Sequence, residues 1–123
     1  MKNVGLLVCI AVLCQNCTGL QQHQLTGRWK ASDITEDGMP LDVDISTLGF
    51  VFSNDGFYEY HGTLNYKEAG SFSVRGDLLY TLDTINQASS EKAVKILNLT
   101  NDSLFLKMNE EGKIRIVKLF KVN

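Results

Sequence analysis

The sequence predicts a single all-β domain, an eight-stranded antiparallel up-and-down β-barrel. Apolar residues recur with a period of two in eight short segments, most of them joined by short turns rich in Gly, Asn and Asp, and no long segment has the period of a helix. Consecutive hairpins build a meander, and closing it removes the exposed edge strands. An immunoglobulin-type sandwich has similar strand spacing and is the second choice, because the chain lacks long crossover connections.

The chain begins with a segment typical of a secretory leader. Lys2 precedes the apolar run 4–14, which is too short to span a bilayer. All three cysteines, Cys9, Cys14 and Cys17, lie in this run or directly after it. The rest of the chain therefore can form no disulfide, and its core alone must stabilise the domain.

Cys17 has two interpretations. We favour a lipoprotein leader, with residues 1–17 as the signal peptide and lipid-attachment cysteine and 18–24 as a polar tether. Acyl chains on Cys17, each contributing roughly 0.8 kcal/mol per buried CH₂, would anchor the domain to a membrane of a bacterial cell envelope, at the outer membrane or the periplasmic face. Cleavage after Gly19 by an ordinary signal peptidase is the alternative, and it would secrete the protein.

The mature chain, with the barrel domain at 25–123, has room for one domain of about 100 residues. Removal of Lys2 reduces the basic residues from 12 to 11, against 14 acidic residues, for a net charge of −3. The charges are interspersed and form no basic cluster. We therefore predict no nucleic-acid partner.

The first strand is predicted at 25–32, which contains the single tryptophan of the chain. Alternation places Leu25, Gly27 and Trp29 on one face. Gly27 allows the backbone to pass close to neighbouring strands, and the Trp29 indole can cover one end of a core. We therefore predict that Trp29 is structural and closes one end of the barrel.

The next segment, 36–47, contains the single proline, Pro40. A loop with a short helical turn and a short edge strand fit it equally well, and either would lie over one end of the barrel. Asp42 and Asp44 lack the later ligands of a calcium loop, so we predict a solvated face. The other seven strands are predicted at 48–52, 57–61, 70–75, 78–82, 94–99, 104–108 and 114–120.

Two turns give the clearest local predictions. Asn54-Asp55-Gly56 separates two strands rich in aromatic residues, and glycine accepts the positive φ that hairpin turns require. Arg75-Gly76-Asp77 is the tripeptide that integrins recognise. We interpret Gly76-Asp77 as a two-residue hairpin turn, because patterned strands flank it.

The start Leu25-Thr26-Gly27-Arg28-Trp29, the eight strands and the hairpin 50–60 together resemble the small lipocalin-like (calycin) domain lipoproteins of Bacteroidota. Segments 64–82 and 99–106 are similar to the same group. The resemblance covers 25–122 and implies a lipocalin-like barrel.

The resemblance also implies a contact at the Gly-x-Trp signature, here Gly27 and Trp29. In lipocalins a basic residue of the last strand packs across this indole in a cation–π contact. We assign this role to Lys118, with Arg115 and Lys121 as the alternatives.

No catalytic constellation is found, and we predict that the protein is not an enzyme and needs no cofactor. His23 and His61 have no metal-binding residues at suitable spacing, so no metal site is predicted. No serine has a Gly-x-Ser-x-Gly setting, and there is no glycine-rich phosphate loop.

Two functions from different classes remain. The first is binding of a small apolar or amphipathic ligand, since an eight-stranded barrel is just wide enough to hold one. We predict an apolar pocket near the open end, lined by Tyr58, Tyr60, Phe72 and Tyr80. The loop 36–47 would act as its lid. The alternative is an interaction or inhibitory protein with a filled barrel, which engages a protein partner through its loops or tether.

Overall fold

The computed structural model describes residues 21–123. The predicted signal peptide, Cys17 and the first part of the predicted tether lie outside these residues. The described chain has a 3-10 helix at Gln22–Leu25 and the strands β1 (Gly27–Glu36), β2 (Met39–Pro40), β3 (Gly49–Phe52), β4 (Phe57–His61), β5 (Lys67–Arg75), β6 (Leu78–Asp83), β7 (Lys92–Leu99), β8 (Ser103–Glu110) and β9 (Lys113–Val122).

Eight of these strands form a closed antiparallel barrel. From β3 to β9, each strand pairs with the next along the chain, β1 pairs with β3, and β9 pairs back onto β1. β2 pairs only with the end of β1, at Thr35 and Glu36. The predicted all-β class and the eight-stranded up-and-down barrel are therefore confirmed, because a sandwich would leave the two sheets unclosed.

The sequence predicted either a short helical turn or a short edge strand between β1 and β3. The structure has the edge strand, which is β2. Asp37 and Gly38 make the tight turn between β1 and β2 with φ values of 50° and 85°. Leu41 and Ile45 then pack against the core. Asp42 and Asp44 are exposed, in agreement with a solvated face.

The two ends of the barrel differ. We call the end where β1 begins the closed end, and the end where β1 finishes the mouth. The mouth is surrounded by the loops 37–48, 62–66, 84–91 and 111–112. The largest fully buried side chains are those of Trp29, Phe52, Leu25, Leu79, Leu104, Leu106 and Leu119.

Trp29 occupies the closed end. Its side chain is 1% exposed, and its indole Nε1 donates a hydrogen bond of 2.8 Å to the carbonyl oxygen of Leu25. Leu25 belongs to the 3-10 helix and not to the first strand, so the last residues of the predicted tether are ordered against the barrel. The indole is thus buried with its one polar atom satisfied, as a structural tryptophan requires.

The basic residue beside Trp29 is Lys121, and the assignment to Lys118 was wrong. β9 pairs Lys121 with Trp29, and the Lys121 Nζ lies 5.3 Å from the centroid of the indole. Val117 and Leu119 face inward and are buried, so alternation directs Lys118 outward. There its Nζ lies 5.1 Å from the ring of Phe105.

Candidate functional site

A cavity of about 460 Å³ opens at the mouth. Strands β3 to β8 supply its wall, because each ends or begins at this end of the barrel with an inward-facing side chain. Its lining residues are Phe50, Tyr60, Gly62, Thr63, Tyr66, Glu68, Leu79, Thr81, Lys92, Ala93, Val94, Met108, Asn109 and Glu110. Apolar and polar groups therefore share the wall.

A second depression, of about 590 Å³, lies at the closed end. It is bordered by the 3-10 helix and by residues near the turn between β7 and β8, including His23, Thr100 and Lys121. Mainly polar surface residues form its sides, whereas strands enclose the mouth cavity. We therefore take the mouth cavity as the candidate site.

The buried Glu68 carboxylate organises the polar side of the cavity. Its Oε1 accepts a hydrogen bond of 2.9 Å from the Tyr58 hydroxyl. Its Oε2 accepts bonds from the Tyr66 hydroxyl, at 2.7 Å, and from the Lys92 Nζ, at 2.6 Å. Glu68 is 4% exposed, and a carboxylate so buried requires donors of this kind to compensate the loss of water.

This network raises the pKa of both tyrosines that bind Glu68. Burial is the largest cause of the raised pKa of Tyr58, and the hydrogen bond to Glu68 adds to it. The hydrogen bond to Glu68 is the main cause for Tyr66 and raises its pKa to about 12. Both hydroxyls therefore keep their protons, and remain donors to the carboxylate, even above the ordinary tyrosine pKa of 10.0.

Tyr60 is the aromatic residue with a free polar group at the cavity. Its ring centroid lies 4.7 Å from that of Phe50 and 6.2 Å from that of Tyr66. Burial raises the pKa of the Tyr60 hydroxyl, with further contributions from the carboxylates of Glu68 and Glu110. Within residues 21–123 this hydroxyl makes no hydrogen bond, and no fully buried polar side-chain atom lacks one. The hydroxyl is therefore accessible from the cavity.

Gly62 shapes the space beside Tyr60. A Cβ at this position would lie 3.3 Å from atoms of both the Tyr60 and the Tyr66 rings. Such contacts are tighter than ordinary van der Waals packing, so a side chain here would displace one ring. The glycine thus keeps the two rings in their present positions at the cavity wall.

The four aromatic residues of the predicted pocket lie in three different places: the cavity wall, the core and the outer face of the barrel. Tyr58 and Tyr60 both face inward, as alternation predicts, but only Tyr60 lines the cavity. Tyr58 and Phe72 are 2% and 5% exposed and belong to the core below it. Phe72 packs there edge-on against Phe52, with a centroid distance of 4.8 Å.

Tyr80 lies on the outer face of the barrel, so its placement in the pocket was wrong. On β6 the buried residues are Leu79, Thr81 and Asp83, and alternation sends Tyr80 outward. The guanidinium of Arg75 covers its ring at 3.7 Å from the centroid. Arg75 itself ends β5 and pairs with Leu78, so the turn between them consists of Gly76 and Asp77. Gly76 has the positive φ of 64° expected in such a turn.

The predicted lid also takes a different position. No residue of the loop 36–47 is among those that line the cavity within the described chain. The apolar residues Leu41 and Ile45 pack on the core instead. The loop therefore covers part of the barrel end beside β1 and β3, and the cavity opens beside it.

The sequence analysis predicted Tyr60 but missed the other polar residues that line the site, among them Tyr66, Glu68, Lys92 and Glu110. Glu68 carried a signal, because it shares the alternation of Gly70 and Phe72 and hence their inward face. A charged residue in the inward phase of a strand indicates a polar interior at that level. Lys92 gave no comparable signal, since it precedes the predicted β7.

Two more carboxylates at the mouth are compensated locally. Glu36 accepts a 2.8 Å hydrogen bond from the Arg115 Nε and lies 3.5 Å from the Lys113 Nζ. The hydrogen bond from Arg115 is the main cause of the lowered pKa of Glu36. For Asp83, burial raises the pKa, but hydrogen bonds from Asn86 and neighbouring backbone amides outweigh it, and the pKa is lowered.

Residues 21–123 contain no group of three or more His, Cys, Asp or Glu side chains placed to bind a metal ion. No helix in this part of the chain is long and apolar enough to span a membrane.

Comparisons with known proteins give structural matches. No family model and no curated protein matches the sequence. A lipocalin-like protein from Bacteroides uniformis ATCC 8492 superposes with a TM-score of 0.60 at 15% identity, over 80% of this chain and 99% of that protein. An uncharacterized protein from Bacteroides eggerthii DSM 20697 gives a TM-score of 0.57 at 14% identity, with the same coverage of both chains.

Identities this low establish the fold alone. The pairing of the strands and these matches agree on one architecture. The chain is an all-β protein with a closed eight-stranded antiparallel barrel, structurally similar to a lipocalin-like protein.

Proposed function

We propose that this protein binds a small amphipathic molecule in the cavity at the barrel mouth, as a lipid-anchored protein of a bacterial cell envelope. The role is binding and not catalysis. The fold alone does not specify it, because lipocalin-like barrels can hold a ligand or be filled by side chains.

The observation that carries the proposal is an open cavity in which the Tyr60 hydroxyl has no hydrogen-bonding partner among the described residues. The cavity volume of about 460 Å³ falls in the range of roughly 300–1,000 Å³ typical of small-molecule sites. Phe50, Val94 and Met108 offer apolar contacts, while Tyr60 and Thr81 offer hydroxyls. Such a wall suits a ligand with an apolar part and a polar group.

The neutral fluorescent probe N-phenyl-1-naphthylamine tests the proposal. We expect a saturable rise in fluorescence with the wild type. Tyr60→Ala should weaken binding, because it removes both the ring and the hydroxyl. Tyr80→Ala is the matched control, since Tyr80 lies on the outer face, and it should bind as the wild type does. Absence of saturable binding to the folded wild type would overturn the proposal.

Anchoring through Cys17 is tested separately. Metabolic labelling with a palmitate analogue should mark the wild type but not Cys17→Ser. Equal labelling of both proteins, or release of the wild type as a soluble protein that begins at Leu20, would contradict the anchor and leave secretion after Gly19.

A protein partner is the second candidate, favoured by exposed apolar side chains on the loops of the mouth. Leu64 is 97% exposed, and Met39 and Ile85 are also more than half exposed. Isolated exposed apolar residues are common, but these share one end of the molecule. Native mass spectrometry of the protein from its own membrane distinguishes the candidates, because it would detect a bound small molecule or a bound protein chain.

A further inference from the structure

We propose that the mouth cavity selects organic cations, and that its ligand is an amphiphile whose ammonium group lies at the rim among Tyr60, Tyr66 and Glu110. This inference rests on the proposed binding function and specifies the class of its ligand. Three independent features of the site support it: the pairing of its charges, its aromatic rings and the composition of the surrounding loops.

The cations at the mouth are already paired with carboxylates. The Lys92 Nζ lies 2.6 Å from Glu68, and Arg115 and Lys113 both contact Glu36, at 2.8 Å and 3.5 Å. A ligand carboxylate or phosphate would compete with these partners for the same cations. Anion binding would therefore gain less here than beside an unpaired cation.

Glu110 provides the opposite case. It lines the cavity at the end of β8, and within residues 21–123 it lies within ion-pair distance of no basic side chain. Lys113, its partner in the pairing of β8 with β9, contacts Glu36 instead. Among the residues that line the cavity, Glu68 and Glu110 stand against Lys92 alone, so the lining carries a net charge of −1 that a ligand ammonium would neutralise.

The aromatic rings supply a second attraction for a cation. Phe50, Tyr60 and Tyr66 form a continuous cluster along the wall, with centroid distances of 4.7 Å and 6.2 Å between neighbours. Ammonium groups bind favourably over the faces of such rings, and groups of rings recognise alkylated ammonium ions in other proteins. The Tyr60 hydroxyl oxygen can also accept a hydrogen bond from a ligand N–H.

The loops around the mouth strengthen the preference. Loops 37–48, 62–66, 84–91 and 111–112 contain acidic residues, including Asp37, Asp42, Asp44 and Glu111, and no lysine or arginine. The loops themselves therefore carry a net negative charge, while the basic side chains at the adjoining strand ends are already paired with carboxylates. The loop carboxylates attract cations toward the entrance, and this attraction should weaken at high salt.

Three displacing ligands that share a ten-carbon chain test the inference: decylamine, decanol and decanoate, each titrated against bound N-phenyl-1-naphthylamine at pH 7. The amine is then cationic, the alcohol neutral and the carboxylate anionic. We expect displacement at the lowest concentration by the amine and at the highest by decanoate. The advantage of the amine should shrink as salt is added.

Glu110→Gln and Glu111→Gln form the matched pair of variants. Both side chains are exposed to solvent, but Glu110 lines the cavity, while Glu111 lies in the adjacent turn and does not. The preference for amine over alcohol should fall roughly two- to fivefold in Glu110→Gln, the upper part of the range for an exposed charge pair. It should stay near the wild-type value in Glu111→Gln.

Each other outcome overturns the inference in a distinct way. Equal displacement by all three ligands would leave the proposed binding function intact but remove cation selectivity. Tighter binding of decanoate would indicate an anion site at Lys92. A wild type that does not bind the fluorescent probe would refute the binding function and this inference together.

Discussion

Trp29 and Glu68 are both buried inside the barrel, yet they give its two ends opposite properties. The indole of Trp29 fills the closed end and needs one backbone carbonyl as a partner. The carboxylate of Glu68 needs three donors, two of them tyrosine hydroxyls. The cost of burying this charge explains why polar residues cluster at the mouth and apolar ones at the closed end.

Replacement of Trp29 tests the closed end. Trp29→Ala should lower the free energy of unfolding by roughly 3–5 kcal/mol, because it leaves a large cavity in a well-packed region. Denaturant unfolding measures the change. A loss of this size is a large part of the stability of a small domain, which is about 5–15 kcal/mol. An unchanged unfolding midpoint would contradict the structural role of the indole.

The cation–π contact is tested by a pair of lysine variants. Lys121→Met should lower stability by about 0.5–1 kcal/mol and should alter the fluorescence of Trp29, the single tryptophan. Lys118→Met should leave that fluorescence unchanged, because Lys118 contacts Phe105 on the outer face. An effect of Lys118 and none of Lys121 on the emission would reverse this assignment.

The wrong face predicted for Tyr80 has an identifiable cause. On β6 the outward residues Leu78, Tyr80 and Leu82 are more apolar than the inward ones, which include Thr81 and Asp83. The usual association of apolar with inward therefore predicts the wrong face near a polar mouth. Local sequence could not correct it, since Glu68 and Lys92 are 24 residues apart and meet only when β5, β6 and β7 pair.

At the scale of elements, the strands were predictable where their pairing is local. Hairpin turns join most neighbouring strands. Many of these turns are recognisable in the sequence by a glycine, such as Gly56, which adopts the positive φ of 88° that the turn requires. Alternation and turn chemistry together define a meander. The boundaries were less accurate: β5 begins at Lys67, where the sequence predicted its start at residue 70.

The closure between β1 and β9 includes an ion pair that should respond to pH. Arg115 lowers the pKa of Glu36 below its ordinary value of 4.5. The stabilisation is therefore fully present above that value and is lost as pH falls through the lowered pKa of the folded state. The difference in Tm between the wild type and Glu36→Gln should be present at pH 7 and should disappear in acid.

Glu111→Gln serves as the control for this experiment, because Glu111 is an exposed turn residue. Its Tm should follow that of the wild type across the same pH range. If the difference in Tm between the wild type and Glu36→Gln stayed constant as the pH fell into the acid range, the ion pair would not be its cause.

The contact between β5 and β6 depends on a glycine. A Cβ at Gly70 would overlap the backbone carbonyl oxygen of Leu82, which cannot move aside as a side chain can. Gly70→Ala should therefore destabilise the protein by about 1–3 kcal/mol, measured by denaturant unfolding. The neighbouring substitution Ser71→Ala, on the exposed face, should change it by less than about 0.5 kcal/mol. Equal stability of the two variants would refute this close packing.

At the scale of the whole molecule, the first and last described residues lie at the closed end. Val122 pairs with Arg28 at the start of β1, so both ends of the described segment lie away from the cavity. Under the proposed attachment at Cys17, the membrane would face the closed end, and the mouth would face the aqueous compartment. A ligand would then enter the cavity from the aqueous compartment and not directly from the bilayer.

Fluorescent labels test this orientation on vesicles that carry the lipid-anchored protein and a lipid-attached quencher. A label on Asn101→Cys, in the closed-end turn between β7 and β8, should be quenched more than one on Leu64→Cys, in a loop of the mouth. Stronger quenching at residue 64 would place the mouth against the bilayer.

The pairing of β1 with β9 also determines an order of events in time. A chain synthesised from its amino terminus has made β1 through β8 before the partner that completes the barrel exists. Until Lys113–Val122 emerges, the edges of β1 and β8 stay open to pairing with other chains. Closure joins the most distant strands in the sequence, which makes it slow. Chains that stop before residue 113 are therefore expected to aggregate.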